Sequence, residues 1–195
     1  MGFLKDKCDV FSHTDEMLRQ SQPFSCGDED LDDFFIHDAV KYERQLLAKS
    51  YCFRLRNDNS VIICVFTLSN SSIDARNLPN NRKRKLTEKI PNEKSLSSYP
   101  AALIRRLGVD KQYGSKGIGT ELMDFIKQWM LDPSNKTACR YLTVDAYNNE
   151  RTLKFYEANG FKNIFSSESQ EKEHIGFPSE KELKTRFMYF DLMMT

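Results

Sequence analysis

The stretch LGVDKQYGSKGIGTELMDFI, residues 107–126, decides the reading of this chain. It begins as the end of an apolar strand, passes through a turn carrying Gly114, Gly117 and Gly119, and enters a pattern with apolar residues at Ile118, Leu122, Phe125 and Ile126. That spacing predicts an amphipathic helix over 118–131, continued by Trp129 and Met130. Glycines let the main chain approach a ligand closely, and the first turn of a helix offers N–H groups with no intrahelical partner. Those donors, together with the helix dipole, suit a phosphate-like anion. The same glycines also serve a tight strand-to-helix turn, so the stretch alone leaves both uses open. Two familiar phosphate loops are excluded. There is no G-x-x-x-x-G-K-[ST], and the three glycines read G-x-x-G-x-G, the reverse of the dinucleotide fingerprint.

Working outward, residues 26–49 carry apolar positions Leu31, Phe34, Phe35, Val40, Leu46 and Leu47 near helical spacing, behind an acidic start that suits a helix N-terminus. SYCFRLR (50–56) and VIICVFTLS (61–69) read as strands joined by Asn57-Asp58-Asn59-Ser60, a hairpin. Residues 74–100 form a polar, basic insert with a short helix through Ile90. Strands are expected at 101–109, 140–146 and 187–193, a helix at 150–159 stopped by Gly160, and a polar loop over 166–186. Strands and helices in this mixed order, with a strand–helix–strand–helix unit at the centre, define an α+β or α/β mixed sheet. At 195 residues the chain fits one domain spanning 1–195.

A second stretch, VDAYNNERTLKFYEANGF (144–161), follows about 25 residues after Gly119. Together, in this order, the two stretches resemble the GNAT superfamily of acyl-CoA N-acyltransferases. That family's coenzyme A pyrophosphate loop reads Gln/Arg-x-x-Gly-x-Gly/Ala, followed later by Asn-x-x-Ala, Phe-Tyr-Glu and Gly-Phe. Gly117 and Gly119 match the small positions; Asn149, Phe155-Tyr156-Glu157 and Gly160-Phe161 match the second piece. Gly114 stands where Gln or Arg is usual, and Thr152 replaces the alanine. The resemblance covers roughly residues 51–193. It implies a central, mostly antiparallel twisted sheet flanked by helices, and acetyl-CoA as co-substrate with no metal.

It also implies site residues. Gly114, Ser115, Lys116, Gly117, Ile118, Gly119 and Thr120 form the pyrophosphate loop. The main chain of Leu107, Gly108 and Val109 pairs with the pantetheine arm. Tyr156 is the general acid that protonates the leaving thiolate, since a phenol's reference pKa lies close enough to a thiol's for useful donation. Asn149 supports the cofactor arm, caps the helix at Glu150, or does both. No general base stands out; Asp110, Asp145 and His37 are candidates. That matters less for an α-amine than for a lysine.

A narrower likeness, through Phe24-Ser25-Cys26-Gly27 with Leu31 and Phe34 and then Pro100-x-x-Leu-x-x-Arg106-Leu107, is to the toxin acetyltransferases of bacterial toxin–antitoxin pairs, which acetylate the amino acid on charged transfer RNA. Between residues 82 and 106 eight basic side chains face two acidic ones. Arg82, Lys83, Arg84, Lys85 and Arg106 are therefore candidates for holding RNA phosphates. A solvated insert or an antitoxin-binding surface explains the same charge.

An N-acetyltransferase acting on a primary amine thus competes with a tRNA-acetylating toxin. Two further readings are a non-catalytic protein that binds coenzyme A or a partner, and a plain nucleic-acid-binding protein. Many relatives are dimers, which makes a homodimer an expectation by resemblance.

Composition bounds the rest. With 29 basic and 28 acidic residues the net charge is +1, so the whole chain has no bias toward polyanions. No window approaches a membrane span, and the first residues lack a secretory signal. Met1-Gly2 is followed by Lys7 rather than the Ser or Thr of a myristoylation site. Five cysteines (8, 26, 52, 64 and 139) without a C-x-x-C read as reduced and structural, and the compartment as cytoplasmic. His13, His37 and His174 are too dispersed for a zinc cluster.

Overall fold

The computed structural model describes residues 2–90 and 96–194. Glu93 and Lys94 of the basic insert lie outside the described residues. In chain order the elements are α1 (Phe3–Lys7), β1 (Cys8–Ser12), α2 (Asp15–Arg19), α3 (Glu29–Asp33), a π-helical turn (Phe34–Asp38), α4 (Ala39–Arg44), β2 (Lys49–Leu55), β3 (Ile62–Asp74), α5 (Asn80–Thr87), β4 (Ser98–Val109), α6 (Ile118–Leu131), β5 (Tyr141–Tyr147), α7 (Glu150–Ala158), β6 (Lys162–Asn163), α8 (Glu168–Ile175) and β7 (Thr185–Asp191), closed by a 3-10 turn (Leu192–Met194). The strands hydrogen-bond in the order β1-β2-β3-β4-β5-β7-β6, the mixed seven-stranded sheet expected of the fold. β1–β2, β2–β3, β5–β7 and β6–β7 are antiparallel, and β4–β5 is parallel. The β4–β5 register covers Ala101↔Tyr141, Ala102↔Leu142 and Leu103↔Thr143, although both strands continue.

Contacts divide the chain into two compact units, Met1–Asn70 with Ile104–Pro133, and Ser71–Leu103 with Ser134–Thr195. In the first unit, Met17, Phe24, Phe34, Phe35, Ala39, Cys52, Ile62 and Val65 form a core. Ile118, Leu122, Met123 and Ile126 of α6 are fully buried. The β2–β3 hairpin turns where Asp58 Oδ1 accepts from the Ser60 amide at 3.0 Å and its hydroxyl at 2.6 Å. In the second unit, Ile73, Leu78, Leu86, Tyr99, Tyr141, Ile164 and Phe165 pack together. The Tyr141 hydroxyl donates to Leu86 O at 2.6 Å and so ties α5 to the sheet.

The expected continuous helix over 26–49 is not formed. Asp28 caps α3 through the Leu31 amide at 3.1 Å, so helix begins only at Glu29. Helical spacing continues, but one extra residue is accommodated at Phe34–Asp38, where the Ala39 amide bonds to Phe34 O. Leu46, at φ 58, ends the run soon after Arg44. The expected polar loop over 166–186 contains α8, whose N-cap Ser167 accepts from the Gln170 amide. The last strand ends at Asp191 rather than 193. Three short elements, α1, β1 and α2, carry no clear periodicity and are additions to the sequence reading. No helix among the described residues is long and apolar enough to cross a membrane.

His13 is buried beside the π-helical turn, and its Nε2 lies 2.7 Å from Phe35 O. A carbonyl only accepts, so Nε2 carries the proton and Nδ1 is left without a partner. Burial pushes the imidazole below its ordinary value of 6.5, against the Phe35 carbonyl and the Glu43 and Asp15 charges that favour protonation. The unfolded chain therefore binds a proton that the folded chain refuses. Stability is full above pH 6.5 and falls as pH drops through that value. Melting temperature measured from pH 7.5 to 5 will show this limb, and His13→Gln will flatten it.

Candidate active site

The end of β4 and the start of α6 belong to the first unit. Gly117 is the N-cap of α6 at φ 78 and ψ −1, in the left-handed region, and provides no side-chain cap. Nothing lies within 4 Å of where a Cβ would stand on it. The N–H groups of Ile118, Gly119 and Thr120 occupy the helix's first turn, where no intrahelical acceptor exists. Ser115 also has a positive φ, 60°. The Lys116 ammonium folds back onto its own loop, 3.2 Å from Gln112 O and 5.3 Å from the Tyr113 ring centroid. Glu121 sits in the first turn, where a carboxylate would oppose an anionic ligand. Its oxygens are instead taken by the Phe3 amide at 2.9 Å and the Leu4 amide at 2.8 Å. Residues 114–120 thus fit a diphosphate ester: an unfilled left-handed cradle ahead of a helix whose N-cap residue supplies no side-chain cap. A Cβ at Gly114 would meet only Lys111 O at 3.5 Å, ordinary contact, so nothing at the Cβ position demands glycine.

Asn149 and Tyr156 belong to the second unit. Asn149 caps α7 through the Thr152 amide at 2.9 Å. At the other end, the Gly160 amide bonds to Glu157 O at 2.9 Å and the Phe161 amide to Tyr156 O at 3.0 Å, a Schellman closure. The accompanying apolar contact is Phe161 against Tyr156, ring centroids 5.3 Å apart. This explains in physical terms why Gly-Phe follows Phe-Tyr-Glu: the glycine closes the helix, and the phenylalanine it turns inward braces the tyrosine. Tyr156 is 7% exposed, and burial alone pushes its phenol well above the usual tyrosine range. It stays protonated throughout the physiological range.

The other sequence candidates separate. Asp110 is buried and is committed to backbone: Oδ1 accepts from the Gln112 amide at 2.8 Å and Oδ2 from the Ser25 amide at 3.4 Å. His37 is exposed and paired with Asp33 at 2.9 Å. Asp145 is exposed on β5. Arg106 lies over the Phe34 ring at 5.2 Å, with Asp30 3.9 Å away. Arg82, Lys83, Arg84 and Lys85 are on α5. Lys85 and Lys89 line a cavity of about 300 Å³ with Lys162, Tyr189 and Asp191. No group of three metal-ligating side chains is found among the described residues. The sequence reading missed how residues 24–27 engage Asp110. The signal was present as Phe24-Ser25-Cys26-Gly27, but its partner is 85 residues away.

The family model for the GNAT acetyltransferase family matches residues 13–161, three quarters of the chain. The chain belongs to that family, whose co-substrate is acetyl-CoA. Among solved structures it is similar to a Tyr→Phe variant of KacT (TM-score 0.70, 18% identity, 97% of each chain covered). It is also similar to AtaT complexed with acetyl-methionyl-tRNA (TM-score 0.63, 20% identity, 96% of each chain). A third is the KacTA–DNA complex (TM-score 0.65, 17% identity, 96% of this chain and 95% of that one). No curated protein matches the sequence.

Gly160 has φ 82, and a Cβ there would stand 3.0 Å from Phe190 Cε2. Gly160→Ala is therefore expected to cost about 1–3 kcal/mol, from left-handed strain plus crowding. A urea denaturation series will measure it, with a lower midpoint at unchanged slope.

Proposed function

We propose that this protein is an N-acetyltransferase whose acceptor is a primary amine, most specifically the α-amino group of the aminoacyl residue on charged transfer RNA. The observation that carries the acetyl-CoA half is the uncapped, left-handed N-terminus of α6 at Gly117. The amides from Lys116 to Thr120 hold the pyrophosphate, with Leu107 and Val109 pairing to the pantetheine arm. The bound thioester supplies an activated acetyl group. The amine nitrogen attacks the acetyl carbon directly, the carbon–sulfur bond breaks, and Tyr156 passes its phenolic proton to the departing sulfur. The amine's own proton goes to water, and water returns a proton to the Tyr156 phenolate, restoring the acid. Asn149 both caps α7 and supports the cofactor arm.

Three observations support the acceptor. The neighbour AtaT is seen with acetyl-methionyl-tRNA. Lys85, Lys89 and Lys162 line one cavity beside Glu88 and Asp191, a small excess of positive charge that RNA phosphates could meet. Asp110 and His37 are engaged elsewhere, and an α-amine with pKa near 8 needs a dedicated base far less than a lysine does. A Tyr→Phe variant of the AtaT toxin is seen bound to the C-terminus of the antitoxin AtaR, which supports an antitoxin-type protein partner for this chain as well.

Incubation with labelled acetyl-CoA, bulk charged tRNA and a panel of polyamines and aminoglycosides tests the reading: label belongs in the charged-tRNA fraction. Tyr156→Phe should lower kcat by roughly 10²–10⁴-fold with little change in KM for acetyl-CoA. Equal turnover by parent and variant removes Tyr156 from the mechanism. Because burial raises its phenol, the rate should climb as the acceptor amine deprotonates, with no falling limb from Tyr156 below about pH 10. Replacing Lys85, Lys89 and Lys162 by Glu should weaken tRNA binding and make the slope of log K against log salt shallower by about two to three. An unchanged slope would direct the search to another surface.

A further inference from the structure

We propose that residues 24–27 form a latch that positions the cofactor loop, with Asp110 and Asp32 as the carboxylates that hold it. Both act as positioning residues that do not themselves touch the donor. The proposal rests on reading residues 114–120 as the pyrophosphate loop, and it concerns how that loop is kept in shape.

The latch is built from backbone. At the end of β4 the Asp110 amide bonds to Ile63 O at 2.9 Å, which fixes where the strand stops. The next amide, Lys111 N–H, donates to Ser25 O at 2.9 Å, and the Ser25 amide returns a bond to Asp110 Oδ2 at 3.4 Å. Asp110 Oδ1 takes the Gln112 amide at 2.8 Å, and Asp110 O takes the Tyr113 amide at 2.8 Å. Three successive amides entering the loop are thereby satisfied by the protein, whereas those at the start of α6 have no intrahelical acceptor. The chain sorts its donors: the early ones set the shape, the late ones face the ligand.

The far side of the latch is held equally closely. Asp32 of α3 accepts from Ser25 Oγ at 2.7 Å, from the Cys26 amide at 2.8 Å and from the Cys26 thiol at 3.1 Å. Burial works to raise the Asp32 carboxyl, but these bonds outweigh it and hold the group below the usual carboxylate range. Gly108 completes the fit. A Cβ on it would stand 3.1 Å from Cys26 Cβ and 3.1 Å from the Phe35 ring, so the strand leading to the loop lies directly against the latch. A buried carboxylate that accepts two amides is costly to place unless those bonds form, so Asp110 links loop shape to the seating of residues 24–27.

Two measurements on the full chain test this, with Asp110→Asn and Asp32→Asn. Asparagine keeps one accepting oxygen and puts an N–H₂ in place of the other, so one of the two amide bonds is lost and the neutral side chain weakens the one that remains. In the ligand-free protein, hydrogen exchange at the Lys111 and Gln112 amides should quicken at least about tenfold in Asp110→Asn, as expected for losing a charge-assisted bond. In turnover, the ratio of kcat/KM for acetyl-CoA to that for S-acetyl-pantetheine, which lacks the pyrophosphate, should fall at least about tenfold. A merely structural loss would lower both donors together. Asp32→Asn should move both quantities in the same direction, and it decides the matter if Asp110→Asn does not fold. Unchanged exchange, or an unchanged donor ratio in a folded variant, overturns the latch. If the parent neither binds acetyl-CoA nor uses it, the pyrophosphate reading is lost, while the exchange measurement still decides whether Asp110 shapes the loop.

Discussion

The burial of one face of α6 makes the rest of the site affordable. Ile118, Leu122, Met123 and Ile126 have at most 1% of their surface exposed. Each contributes about 1.5–3 kcal/mol when taken fully out of water. A glycine N-cap such as Gly117 in place of Ser, Thr, Asn or Asp costs only about a few tenths of a kcal/mol. The helix therefore stands without its own cap, and its first amides stay available.

The second unit solves a different problem by comparable means. For the proposed role of Tyr156, the ring must be held in one orientation while its hydroxyl stays free of structural duty. Here the bracing comes from carbon. Tyr156 meets the Phe155 ring at 5.2 Å and the Phe161 ring at 5.3 Å, and the Schellman closure at Gly160 brings Phe161 into place. The same burial raises the phenol's pKa, which keeps the proton on but makes its release more demanding.

Most of this was legible in the sequence because its determinants are local. Gly117, Gly119, Asn149 and Gly160 act through bonds only a few residues away, so strand, turn, helix and stop could be read from 101 to 161 with errors of a residue or so at most ends. The parts that escaped depend on distant partners. The run from 26 to 49 has helical spacing, yet Asp32 binds back to Ser25 and Cys26, and Phe35 O is claimed by His13. Neither contact leaves a periodic trace. Asp110 looked like a possible base because it is an acid beside the loop. It accepts instead from the Gln112 amide close by and from the Ser25 amide, far away in the chain. β1 was missed because its CDVFS gives only a short alternation, and it exists as a strand by pairing with β2.

The cysteines have a bearing on the chemistry although none takes part in it. All five are free. Burial pushes Cys8 up to about 11 and Cys26 and Cys52 up to about 12, and it raises Cys64 and Cys139 as well. Each turnover consumes a thioester and liberates a thiol, reagents that readily transacylate or form mixed disulfides with an ionised cysteine. With its own sulfurs held as neutral thiols, the polypeptide is a poor target for both, and can handle a reactive donor without modifying itself.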